Sequence, residues 1–235
     1  MSGKVNRRKL LVGAGSAGLV ASSGVAPAYA QNKRRLKMVT TWPKNFPGVG
    51  TAAESVAKRV EAMSEGELKI KVFAAGELVG AFEALDAVST GSADLYHGAD
   101  YYWQGKDPAY NFFTTWPMGM TATEFYSWIE FGGGQAFWDE LASKFKVKPF
   151  VCGDTGTQSG GWFTKKIETL DDLKGLRMRM PGLGGEVIRR LGALPVVLSG
   201  GEIFQSLQSG AIDATEWIGP WNDQAFGFYQ IAKYF

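Results

Sequence analysis

Residues 197–214 read V-L-S-G-G-E-I-F-Q-S-L-Q-S-G-A-I-D-A: a strand end, a Gly-Glu turn, an amphipathic stretch, a glycine stop and a second strand. Ser199 with Glu202 forms a capping-box signal for the start of the helix, and Gly210 supplies the left-handed stop. Residues 72–95, V-F-A-A-G-E followed by a helical stretch and G-S-A-D-L, repeat that order, with Asp94 where the first segment has Asp213. Strands separated by helices of this length specify βαβ units and largely parallel sheets. Two such units imply two lobes of similar construction with a ligand cleft between them.

Elements on either side extend the pattern. In E-L-K-I-K-V-F, Leu68, Ile70 and Val72 alternate with Lys69 and Lys71, the period of a half-buried strand. Val49, Ala53, Val56, Val60 and Met63 recur at helical spacing, with Thr51 and Glu54 as the expected capping box and Gly66 as the stop. Leu78, Phe82, Leu85 and Val88 predict a helix ending at Gly91, and Thr121 with Glu124 predicts another start. Further strands are expected over Val147–Cys152, Arg177–Met180, Leu194–Leu198 and Ile212–Trp217. The loop G-D-T-G-T-Q-S-G, 153–160, divides lobe 1 (31–155) from lobe 2 (156–235).

Composition removes much of enzymology. One cysteine, Cys152, excludes a disulfide framework or a cysteine-ligated cluster, and one histidine, His97, excludes a histidine-pair metal motif. The formal charge of +2 over 235 residues includes Lys4, Arg7, Arg8 and Lys9. Without those four the balance is about −2, so polyanion binding is not expected. The last three of them lie in N-R-R-K-L-L-V-G-A-G, which leads through a glycine-interrupted apolar run to A-P-A-Y-A. We read 1–30 as a twin-arginine signal peptide cleaved after Ala30, and the mature chain as exported to the periplasm.

Candidate chemistry is sparse. Asp171 and Asp172 read as helix-start residues beside Thr169, His97 as a hydrogen-bonded strand-end side chain, and Cys152 as a small buried apolar residue. Gly132–Gly134 reads as a helix break. P-G-L-G-G-E, 181–186, is a glycine-rich helix opening at which backbone N–H groups either hold an anion or simply start the helix. In L-R-M-R-M-P the methionines share one strand face and Arg177 and Arg179 the other. Arg179 is then either a bidentate carboxylate fork at a strand's carboxyl end or a solvated surface side chain. E-W-I-G-P-W-N-D, 216–223, sets Glu216 between strand end and tryptophans, as part of a cleft or of a tryptophan-anchored turn.

These segments together resemble the DctP-type solute-binding proteins of tripartite ATP-independent periplasmic (TRAP) transporters. The resemblance runs over 36–235 and rests on E-G-E-L-K-I-K-V-F-A-A-G-E-L, E-A-L-D-A-V-S-T-G-S-A-D-L, T-L-D-D-L-K-G-L-R-M-R-M-P-G and L-S-G-G-E-I-F-Q-S-L-Q-S-G-A-I-D-A-T-E-W. G-A-D-Y-Y-W-Q-G-K and E-W-I-G-P-W-N-D look like the branch binding α-keto and α-hydroxy monocarboxylates such as pyruvate or lactate. The resemblance implies a two-lobed α/β periplasmic-binding-protein-like fold and a non-enzymatic role. It also implies a membrane permease as partner and admits a homodimer. It implies Arg179 as the carboxylate clamp, Gln158 as a contact to substrate and ion, and Glu216 with the Trp217 backbone as further ligands of a bridging Na⁺ or Ca²⁺. Family members continue past residue 235, so lobe 2 is expected to be incomplete at its C-terminal end. The alternative class is an exported α/β enzyme acting on a small carboxylate or sugar.

Overall fold

The computed structural model describes residues 33–235; the signal-peptide reading of 1–30 lies outside them. Strand β1 (Arg34–Thr40) sits between β2 (Leu68–Phe73) and β3 (Leu95–His97), with both pairings parallel. Alternation sends Met38 to one face, against Ala53 and Ala57 of helix α1 (Val49–Met63), and Val39 to the other. There Val39 joins Leu85 of α2 (Ala84–Ser89), Ile129 of α3 (Ala122–Phe131) and Trp138 of α4 (Gly134–Ser143). A parallel sheet buried on both faces is the arrangement that βαβ connections impose.

The second sheet repeats the plan. β5 (Arg177–Arg179) lies between β6 (Leu194–Val196) and β7 (Ala214–Thr215), again parallel, and β4 (Trp162–Phe163) adds an antiparallel strand beside β7. Helix α5 (Gly182–Arg190) packs Ile188 on Met178, whereas α6 (Gly200–Gln208) sends Ile203 and Leu207 to the opposite core. Each sheet is therefore built on a β-α-β-α-β unit whose first strand, β1 or β5, lies between the other two. The correspondence extends to single hydrogen bonds. Asp94 accepts from the Lys37 N–H at 2.8 Å while its own N–H donates to the Lys37 carbonyl. Asp213 makes the same two contacts with Arg177, at 3.0 Å and 2.7 Å.

Several expectations change. Val147–Cys152 forms no strand: Pro149 has no N–H to give, and Val147 and Val151 pack against the first core without a ladder. Cys152 is exposed, not buried. Helix α1 starts two residues before Thr51, with Gly48 as its cap, so Thr51 donates to the Gly48 carbonyl and makes no box with Glu54. Leu78 to Val88 gives a short 3₁₀ turn (Ala81–Glu83) running into α2, with Leu78 outside both. The boxes at Thr121, Thr169 and Ser199 form as read, and Gly133, left-handed at φ 85°, breaks α3 from α4. A last helix, α7 (Pro220–Phe226), follows β7.

Residues 33–235 make one compact unit. Part of the reason is the segment after β1: Phe46 stacks on Phe226 at 4.3 Å, Trp42 meets Trp217 edge-on at 6.2 Å, and Asn222 donates to the Pro47 carbonyl at 2.8 Å.

Candidate functional site

Arg179 is the last residue of β5, the strand from which the chain crosses first to β6 on one side and then to β7 on the other. Such switch points, at the carboxyl ends of parallel strands, are where α/β sheets place their ligands. Alternation points Arg177 and Arg179 the same way, yet their surroundings differ. Arg177, at the strand's start, is exposed and forks onto Asp213 at 2.7 and 2.9 Å. Arg179 is 0% exposed.

Burial of a guanidinium demands partners, and Arg179 has them on every side. Its Nε–H donates to the Leu198 carbonyl at 3.2 Å, and Nη2 to the Tyr102 hydroxyl at 3.2 Å. Nη1 donates to the Glu216 carbonyl at 3.1 Å and also to the Glu216 carboxylate. The guanidinium carbon lies 4.9 Å from the centre of a Trp217 ring, within cation–π range. Glu216, directly after β7, is buried too; desolvation, with the Asp223 charge adding to it, pushes its carboxyl up to about 7 against the pull of Arg179. Arg179 itself stays charged: burial works against the guanidinium more than any one neighbour works for it, but Glu216, Tyr102 and Tyr101 together outweigh that cost.

The surrounding wall is aromatic. Trp217, 4% exposed, packs against Trp42, Phe46 and Phe226. The Trp42 indole N–H donates to His97 Nδ1 at 2.7 Å, leaving the proton of a neutral imidazole on Nε2; burial holds the imidazole below its usual range. His97 is thus the strand-end hydrogen-bonded residue expected. The Trp217 indole N–H and His97 Nε2 are buried without a protein partner among the described residues.

Other candidates resolve differently. Gln158 is exposed, and its amide donates to the Thr155 hydroxyl at 2.9 Å, so its side chain is not gathered with Arg179 and Glu216. Its backbone runs close by, since the Ser159 N–H donates to the Ile218 carbonyl at 3.1 Å. P-G-L-G-G-E opens α5 as expected, and packing explains its glycines: a Cβ on Gly185 would stand 2.4 Å from the Met180 carbonyl. In E-W-I-G-P-W-N-D the turn forms, and Glu216 and Trp217 are buried beside Arg179. Asp223 accepts from the Ile218 and Gly219 N–H groups and from the Trp162 indole, while Glu216 and Trp217 face Arg179. Sequence reasoning missed the Tyr102 contact and the Arg179–Glu216 pair. The Y-Y of G-A-D-Y-Y-W was the available signal for the first.

The sequence matches the family described as bacterial extracellular solute-binding protein, family 7 (DctP), over residues 38–235. The chain belongs to that family. Among relatives of this family 7 chain, the monocarboxylate 2-oxoacid-binding periplasmic protein of Nostoc sp. is 48% identical over 201 residues, 86% of the chain and 55% of the relative. A TRAP periplasmic solute-binding protein from Pseudoalteromonas atlantica T6c, crystallised with sodium and pyruvate, superposes with a TM-score of 0.83 at 44% identity. One from Colwellia psychrerythraea, with calcium and pyruvate, gives 0.82 at 42%. Each match covers 85% of the family 7 chain and 61% of the crystallised one. The chain thus spans little more than half the length of these relatives. Their fold, mixed α/β with parallel sheets, is the one described above.

Proposed function

We propose that this family 7 chain is the periplasmic solute-binding component of a TRAP transporter, capturing a small 2-oxo or 2-hydroxy monocarboxylate and delivering it to the membrane permease. The segments on either side of 153–160 act as the two lobes, and export follows the twin-arginine route. The observation that carries the reading is Arg179, a fully buried guanidinium at the switch point of the second sheet, against a wall of tryptophans. Arg179 holds the acid's carboxylate, and the unpartnered indole N–H of Trp217 offers a donor to a ligand rich in acceptor oxygens. The relatives named above, which include pyruvate-bound proteins, support this class of ligand over an enzyme substrate.

Among the described residues no cluster of three or more histidine, cysteine or acidic side chains forms a metal site. The residues proposed to hold the ion are oxygen donors of the kind a hard cation takes, namely the Glu216 carboxylate, the Trp217 carbonyl and the Gln158 amide oxygen, with Gln158 standing apart from Glu216 in this structure. When bound, Na⁺ or Ca²⁺ supplies positive charge shared between Glu216 and the acid's oxygens. Glu216 then needs to leave Arg179, and Gln158 to leave Thr155.

Titration calorimetry with pyruvate tests the reading. Arg179→Met is expected to weaken binding by about 30-fold to several-thousand-fold, the equivalent of roughly 2–5 kcal/mol for a buried charge left unpaired. Arg179→Lys also weakens it, because a point charge does not reproduce the fork. Arg177→Met, at an exposed residue engaged with Asp213, has little effect. Equal losses at Arg177 and Arg179 overturn the clamp.

A further inference from the structure

Arg179 has five N–H groups, and four are engaged: Nε with Leu198, both on Nη1 with Glu216, and one on Nη2 with Tyr102. A carboxylate gripped bidentately takes two N–H groups along one edge of the fork. Only one is free, so an incoming carboxylate has to displace an existing acceptor. Two of these acceptors, the Leu198 and Glu216 carbonyls, are main-chain atoms flanking the sheet. The Glu216 N–H is itself bonded to the Arg179 carbonyl at 3.1 Å, which fixes the local backbone. Of the two side-chain acceptors, departure of Tyr102 would free N–H groups on Nη2 alone. Departure of the Glu216 carboxylate frees one on Nη1 as well and so opens a fork spanning two nitrogens. Once displaced it is a buried carboxyl group parted from its counter-charge, beside Asp223, which is also buried.

We propose that Glu216 is a built-in competitor for Arg179, so that carboxylate and cation enter as a pair. Glu216 stands in for the ligand's carboxylate until the acid takes Arg179 and the freed Glu216 takes Na⁺ or Ca²⁺. This rests on the acid-binding reading above and adds a selectivity rule to it. An acid without its cation gains Arg179 but strands Glu216, whereas a cation alone takes Glu216 but strands Arg179. Acids with a second oxygen able to share the ion, such as 2-oxo acids, are favoured over plain carboxylates such as propionate.

The test is a calorimetric matrix on the full chain, after chelation and in sodium-free buffer: pyruvate with and without Na⁺ or Ca²⁺, and each cation with and without pyruvate. The wild-type expectation is that saturating cation tightens pyruvate by about 10- to 100-fold, and that pyruvate tightens the cation by the same factor, as linkage requires. The decisive variant is Glu216→Gln, with its folding checked by a thermal melt. It replaces the charged competitor by a neutral, weaker acceptor, so in cation-free buffer it should bind pyruvate more tightly than wild type and lose the response to cation. Were Glu216 only an ion ligand, the variant would bind pyruvate no better than wild type without cation, and that result overturns the proposal. So does wild-type pyruvate binding that ignores cation, a measurement that needs no variant. Pyruvate binding absent in every buffer overturns the acid-binding reading itself, and this inference with it.

Discussion

Replacing Arg179 by Met in the ligand-free chain removes a positive charge and four hydrogen bonds from a position with no exposure to water. It leaves the Glu216 carboxylate buried and unpaired, a change that typically costs about 3–5 kcal/mol. For a domain of this size that is a fall of about 6–20 °C in melting temperature. The cost depends on pH in a defined direction. The Glu216 carboxyl is already raised to about 7 from an ordinary 4.5, and without the guanidinium it rises further. A carboxyl raised in the folded state contributes its stability in full below pH 4.5 and loses it as pH climbs through the folded value. The deficit of Arg179→Met should therefore be small near pH 5 and grow towards pH 8. Urea denaturation at both pH values measures it. Adding Glu216→Gln removes the stranded charge, so the double variant should recover more than half of the loss at pH 8. A double variant as unstable as the single one, or a deficit independent of pH, would refute the reasoning.

Asp100 gives a second pH signature: burial raises its carboxyl to about 6 from 3.8, although it accepts from the Trp138 indole and the Tyr96 hydroxyl. Its contribution to stability is complete below pH 3.8 and declines through pH 6, so Asp100→Asn should flatten that part of the stability curve; an unchanged slope relative to wild type counts against it. Asp94→Ala should cost about 1 kcal/mol and Asp213→Ala roughly twice that, because only Asp213 adds a side-chain fork to the strand-capping bond. Equal urea midpoints for the two would contradict the assignment. At Gly161, φ is 133° and an added Cβ would lie 2.5 Å from the Thr215 carbonyl. Gly161→Ala is therefore expected to cost about 2 kcal/mol or more by thermal melt.

What was legible in the sequence was local. The Lys69/Lys71 alternation, the Ser199–Glu202 box and the glycine stops each report on a few neighbouring residues, and the elements they mark formed. The faint echo between 72–95 and 197–214 proved to be the plan of both sheets, since Asp94 and Asp213 do the same work in each. Failures came where an apolar pattern had another use. Val147 and Val151 are packing residues on an irregular segment, and β4, two residues long, is too short to announce itself. At the site, type and position were readable but not partnership. Arg179 and Glu216 were read as groups with separate tasks, and their direct pairing spans 37 residues of chain. Tyr102 is 77 residues from Arg179, a separation at which no spacing rule operates.

Trp42 and Phe46 belong to the first half by sequence and to the second by packing, in a cluster with Ile203, Leu207, Trp217 and Phe228. That core is unfinished without them. The two halves are therefore bound to melt together, and tryptophan fluorescence and backbone circular dichroism should trace one coincident transition. The same trespass constrains any hinge motion. For the halves to part, these two rings either travel with the second half, bending the chain just after β1, or are peeled off Phe226 and Trp217 into water. Any boundary at which the halves moved would thus run through residues 41–48 as well as through the long connection before β4.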